Sequence, residues 1–174
     1  GIVALAVLSL SPRPFAAATP APLPERLWSN AAEQALVHAG TNRVELLGAL
    51  HEAPVAERDG LQFLLENMPQ PDLQALSATF LFDNLKLAYQ AMAEPPWAAG
   101  IPKEIFLNDV LPYASVNERR DAWRRTLYEI CAPLVKDCRT SAEAAHRLNQ
   151  KLFGLVNVRY STQRKRPDQS PLES

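Results

Sequence analysis

The chain has 174 residues, of which 47% are hydrophobic, and its 18 Lys and Arg against 19 Asp and Glu give a formal net charge of -1. That length suits one domain with a core of its own rather than two. The near-neutral balance excludes a dedicated nucleic-acid binder, whose footprint would be plainly basic, so no nucleic-acid partner is expected.

At the N-terminus, "IVALAVLSL" is an apolar run far shorter than the roughly 20 residues a membrane-spanning helix needs, so no transmembrane span is expected in the mature chain. It is followed by "SPRPFAAATPAP", in which Ala16 and Ala18 supply the small side chains of an A-x-A cleavage site. Residues 1–18 resemble the apolar and cleavage regions of a secretory signal peptide without its basic start, and residues 19–28 form a Pro-rich linker. The competing reading is a buried N-terminal helix, which Pro12, Pro14, Pro20, Pro22 and Pro24 disfavour. The expected location is therefore exported, periplasmic or extracellular. The chain is expected to be truncated at this end, which favours truncation at the other end too.

Residues 29–155 are expected to form a helical domain. Ser29 and Asn30 can cap "AAEQALVHAG", with Gly40 placed to end it. Thr41 and Asn42 can cap "RVELLGALHEA", where Val44, Leu47 and Leu50 recur every third residue before Pro54. "VAERDGLQFLLENM" carries Leu61, Leu64 and Leu65 on one face and stops before Pro69. Pro71 and Asp72 suit the first turn of the next helix. Leu81, Leu85 and Ala88, with Phe82 and Tyr89 beside them, make a 3.6-residue stripe that ends at Pro95 and Pro96.

Trp97 and Ile101 fall in a loop, and Pro102 can open a short helix over "KEIFLNDVL" that Pro112 ends. Ser115 and Glu118 make a capping box that predicts the start of the longest helix, "VNERRDAWRRTLYEI". Trp123, Leu127, Ile130 and Leu134 mark its buried face, and Pro133 predicts a kink or a second segment. The mixed charges of "NERRDAWRR" predict a solvent-facing surface. Thr140 or Ser141 caps "SAEAAHRLNQKLFGLV", buried through Ala145, Leu148 and Leu152. The fold class is all-α, a compact array of about six to eight short-to-medium helices. One short extended segment, Val156 to Thr162, follows near the C-terminus.

The residues present show no active site. Glu143 and His146 form an E-x-x-H pair on one helix face, as in di-iron carboxylate bundles, but those need a second copy that the chain lacks. His38 and His51 are the other histidines. Cys131 and Cys138 lie two turns apart, about 10 Å along a continuous helix, beyond the roughly 7 Å Cα separation a disulfide tolerates. Buried free thiols are expected, or a bridge if Pro133 breaks the helix. Neither thiol sits where a thiolate is favoured: Cys131 lies beside Ile130 and Leu134, and Cys138 at a helix end whose dipole disfavours it. Arg159, Arg164, Lys165 and Arg166 form a basic cluster, read as a solvated loop or as a contact with an acidic surface or another part of the same protein. No catalytic, cofactor or metal residue is assigned.

Three stretches carry a resemblance: "FLLENMPQPDLQALSATFLFDNLKLAYQA", "IPKEIFLNDVLPYASVNERRDAWRRTLYE" and "TSAEAAHRLNQKLFGLVNVRYSTQRKRPDQSPLES". They resemble the helical region that precedes the catalytic core in bacterial exported transglutaminase-like proteins, members of the papain-like Cys-His-Asp superfamily. The resemblance covers roughly residues 60–174. It implies that "SPLES" leads into a glycine turn and a nucleophilic cysteine, with histidine and aspartate on later strands. Residues 156–174 would then be the entry segment to that missing core, the expected partner of the helical body. The implied chemistry is amide acyl transfer or hydrolysis through a thioester, without metal or organic cofactor, on a polypeptide or cell-wall peptide. None of the three catalytic positions falls within residues 1–174. The alternative is a complete exported helical module that binds a protein or peptide partner.

Overall fold

The computed structural model describes residues 27–115, 118–155 and 166–169. The expected leader 1–18, most of the expected linker 19–28, and Val156 to Thr162, where an extended segment is expected, lie outside the described residues. Among the described residues there are eight α-helical segments and no strand, an all-α architecture. None of these helices is long and apolar enough to cross a membrane.

The first helix, α1 (Asn30–His38), starts where expected: Ser29 is extended and its hydroxyl accepts from the Ala32 amide at 3.0 Å. Gly40 then takes φ +58°, a left-handed conformation open to glycine, and a single 3-10 turn leads into α2 (Arg43–Glu52). Asn42 does not cap α2. Its amide donates instead to the carbonyls of Leu73 and Leu76, both at 2.9 Å, tying the start of α2 to α4 (Gln70–Leu73) and the residues after it.

The expected face of α2 is corrected. Leu46, Ala49 and Leu50 are buried, Leu47 is half-buried, and Val44 is 80% exposed. A step of three residues drifts around a helix of 3.6 residues per turn, so Val44 and Leu50 cannot share one face with the core. The faces of α3 (Arg58–Glu66) and α5 (Ala78–Ala93) are as predicted, with Leu61, Leu64 and Leu65 buried on one, and Leu81, Leu85 and Ala88 on the other. Ser77 caps α5 by accepting from the Phe80 amide at 3.2 Å. Pro95 and Pro96 close it into a 3-10 turn, Pro96–Gly100, that carries Trp97.

α6 (Lys103–Ile105) runs straight into a π-helical turn, Phe106–Val110, closed by the Leu111 amide on the Phe106 carbonyl at 2.8 Å. The chain then reaches Ser115, whose amide donates to the Glu118 carboxylate at 2.8 Å, while the Glu118 amide donates to the Ser115 carbonyl, also at 2.8 Å. Only the Glu118 half of the capping box forms, since the Glu118 amide bonds the Ser115 backbone carbonyl in a turn and not its hydroxyl, and the helix does not start there. Residues 118–122 are irregular, and α7 (Trp123–Val135) begins at Trp123. The longest described helix is therefore α5, with 16 residues against 13. What bends residues 118–122 is long-range: Arg120 reaches back to Asp72, the Trp123 indole to the Tyr113 carbonyl, and the Arg119 amide to the Asp168 carbonyl.

Pro133 lies inside α7 without ending it. α8 (Ser141–Leu155) follows, and the Thr140 hydroxyl accepts from the Glu143 amide at 3.1 Å. Its buried residue is Ala144; Ala145 is exposed, and Leu148 and Leu152 are half-buried. On α7, Trp123, Leu127, Ile130 and Leu134 are only half-buried, with Val135 the covered position.

Two apolar cores result. The main core gathers residues from Ala35 to Tyr113, with Trp28 and Ala114 packed against it, and includes nothing from α7 or α8. A small second core joins Val135, Cys138 and Ala144, with Leu134 and Leu148 and a single residue from earlier in the chain, Trp97.

Candidate functional site

The principal polar constellation is built by two arginines of the run read as a solvent-facing surface, and that expectation is corrected here. Arg120 turns inward: its Nε donates to both oxygens of Asp72, at 3.0 and 2.9 Å, and a terminal nitrogen lies 2.8 Å from Oδ2. Asp72 is nearly buried, and the Tyr113 hydroxyl donates to the same Oδ2 at 2.7 Å. Burial first, and the neighbouring carboxylate second, push the Tyr113 hydroxyl well above the usual phenol range. Arg120 also stacks on the Tyr113 ring, 5.9 Å from its centroid, and bonds the Glu118 carbonyl.

Arg124 sits one turn further along and has no carboxylate among its hydrogen-bond acceptors. Its Nε donates to the side-chain oxygen of buried Asn84 at 2.7 Å, and NH2 to the carbonyls of Val110 and Pro112 at 2.7 and 2.8 Å. The Asn84 amide completes the set by donating to the Leu111 carbonyl at 2.8 Å. The irregular backbone after the π-helical turn leaves carbonyls without helical partners, and the guanidinium fork satisfies them. Burial pulls the Arg124 guanidinium down to about 10, still a cation at neutral pH. The Trp123 ring covers it at 4.8 Å from the centroid.

Beyond this clamp, α7 borders a groove of about 240 Å³. Trp97, Pro95 and Glu94 form one wall, and Tyr128, Cys131, Val135 and Leu148 the other. The Tyr128 hydroxyl donates to Glu94 across it. That bond, with a lesser one from Gln90, lowers the Glu94 carboxyl pKa, while burial and the Glu94 bond push Tyr128 up to about 12. Such a groove can take an apolar side chain or a small apolar ligand. It lacks the parts of a thiol active site. Burial pushes the Cys131 thiol up rather than down, and no histidine lines the groove.

The other sequence candidates are dispersed. Both cysteines are free thiols, Cys131 half-buried and Cys138 fully buried. Glu143 bonds Arg147 at 2.8 Å and the Arg139 amide at 3.0 Å, and His146 is exposed. Among the described residues no cluster of three or more His, Cys, Asp or Glu could hold a metal ion. His51 meets the Trp28 ring edge-on at 5.0 Å, and His38 is exposed at the end of α1. Of the basic cluster, Arg159, Arg164 and Lys165 lie outside the described residues, and Arg166 is exposed. The arginine clamp was missed because its acceptors are backbone carbonyls, which no side-chain pattern announces. The one available signal was Asn84, an amide on the same face of α5 as Leu81, Leu85 and Ala88.

No family model matches the chain, and no curated protein or solved structure shows a significant match to it.

Proposed function

We propose that residues 29–155 are the non-catalytic helical part of an exported, bacterial transglutaminase-like thiol protein, whose Cys-His-Asp core lies outside residues 1–174. The observation that carries this reading is the ordered series "IFLNDVLPY", then "RYST", then "SPLES", within a helical chain. It is supported by the state of the two thiols. Cys131 is raised by burial in an apolar groove, Cys138 is covered, and neither is bonded to an imidazole among the described residues. Amide acyl transfer or hydrolysis through a thioester then belongs to the core. The helical body serves as its platform, and a polypeptide or cell-wall peptide is the substrate of the whole protein.

A second reading is an exported helical module that binds a protein or peptide partner, and the apolar groove at Trp97 and Tyr128 favours it. The coding sequence downstream of the Ser174 codon separates the two. The first reading expects a continuing frame with a cysteine after a glycine turn soon beyond "SPLES", and later a histidine and an aspartate. Replacing that cysteine by alanine should abolish amide acyl transfer by the longer protein. A stop codon at Ser174, or a frame without these residues, overturns the first reading.

A further inference from the structure

We infer that the α7–α8 hairpin is a latched arm that opens as a unit while the main core stays folded, and that the arginines of its first turn and of the segment just before it are the latch. The two cores carry the argument. The main core is closed without any residue after Ala114, and the arm has a separate small core of Val135, Cys138 and Ala144. The joint between them has an apolar part, Trp97 packed on the arm's small core, and a set of polar bonds. The polar bonds are Arg120 on Asp72, the Trp123 indole on the Tyr113 carbonyl, and Arg124 on Asn84 and the carbonyls of Val110 and Pro112. The exposed pair Arg125–Asp83, at 3.1 Å, and the Tyr128–Glu94 bond continue it along α5.

Such a joint differs in kind from an apolar one. Apolar packing loses contacts gradually with displacement, whereas charged hydrogen bonds are directional and water can replace them once the guanidinium moves out. Elements held by few buried apolar contacts form the low-stability units of a fold. Opening would separate the walls of the groove, leaving Trp97 and Glu94 on the body and carrying Cys131, Val135 and Leu148 away with the arm. The arm therefore controls whether that groove exists.

Native-state hydrogen exchange on the 174-residue chain, at urea concentrations below global unfolding, tests this. The amides of residues 127–132, 134–135 and 144–148 should exchange as one group, at least tenfold faster than those of Leu81, Leu85 and Ala88, and with a smaller urea dependence. Arg124→Gln should raise exchange in the arm group roughly tenfold to hundredfold, the scale of losing charged hydrogen bonds, and leave α5 unchanged. Equal rates and equal urea dependence in arm and α5 would overturn the inference, as would a uniform acceleration by Arg124→Gln. Should that variant fail to fold, the wild-type comparison of the two groups decides alone.

Discussion

Tyr113 and Asp72, 41 positions apart in the chain, share a hydrogen bond of 2.7 Å inside the protein, and Arg120 closes on the same carboxylate from the other side. Each of the three depends on the other two. Without Asp72, the buried Tyr113 hydroxyl loses its acceptor and the Arg120 guanidinium loses its carboxylate. Removing one member of a buried ion pair typically costs about 3–5 kcal/mol, and Asp72→Ala is expected within that range in urea denaturation. Tyr113→Phe removes one hydrogen bond and keeps the ring, so about 1–2 kcal/mol is expected. A loss below about 1 kcal/mol for Asp72→Ala would show that the triad does not hold the fold.

The same hydroxyl makes stability depend on pH in the alkaline range. Tyr113, Tyr128 and Tyr89 all have raised pKa values, each chiefly through burial. At high pH the folded state thus keeps protons that the unfolded chain releases. Their contribution is complete below the ordinary tyrosine pKa of about 10 and is lost as pH rises through and beyond it. Unfolding midpoints should be flat up to about pH 9 and fall above pH 10, with a shallower fall in Tyr113→Phe. Absorbance titration of phenolate should show delayed ionisation. Midpoints that fell as steeply in Tyr113→Phe as in the wild type would remove Tyr113 from the account.

Glycines in two helices should answer oppositely to alanine. Gly48 in α2 has nothing within 4 Å of where a Cβ would stand, so Gly48→Ala should stabilise by about 0.5–1 kcal/mol through helix propensity. At Gly60 in α3 a Cβ would lie 2.8 Å from the Tyr89 hydroxyl oxygen and 3.0 Å from its ring, and Tyr89 in turn packs edge-on against Phe106 at 4.8 Å. Gly60→Ala must displace that ring and should destabilise by about 1 kcal/mol or more despite the propensity gain. Thermal melts of the two variants give the comparison directly.

These contrasts also mark how far the sequence could be read. α1, α3 and α5 were legible because their signals agree: Ser29 as a cap, and Leu61, Leu64 and Leu65, or Leu81, Leu85 and Ala88, at helical spacing. α2 was legible as a helix but its buried face was not, since "VELLGAL" has apolar or small residues almost all round and any face can be drawn through it. Leu46→Ala should therefore cost about 2–5 kcal/mol, and Val44→Ser should stay within about 0.5 kcal/mol of the parent. The start of α7 was misread because a capping box is local, and the bonds that bend residues 118–122 join residues up to 49 positions apart. Mixed charges such as "NERRDAWRR" usually face water. Here irregular carbonyls at 110–112 needed donors, and Arg124 supplied them.

The two thiols offer a last test, of the site rather than the fold. A thiol nucleophile works as the thiolate, and Cys131 is pushed away from that form by burial, with no cation or histidine bonded to it among the described residues. At neutral pH its alkylation by iodoacetamide should be slower than that of a free cysteine in a peptide, and should quicken as pH rises. Cys138, 1% exposed in the arm's own core, should react more slowly still, at a rate set by opening of the arm. Arg124→Gln should speed the labelling of Cys138, because the latch that keeps Trp97 against it is weakened. Fast labelling of Cys131 at pH 7, beyond the free-peptide rate, would mean an activated thiol in the groove and would reopen the assignment of chemistry to this part of the chain.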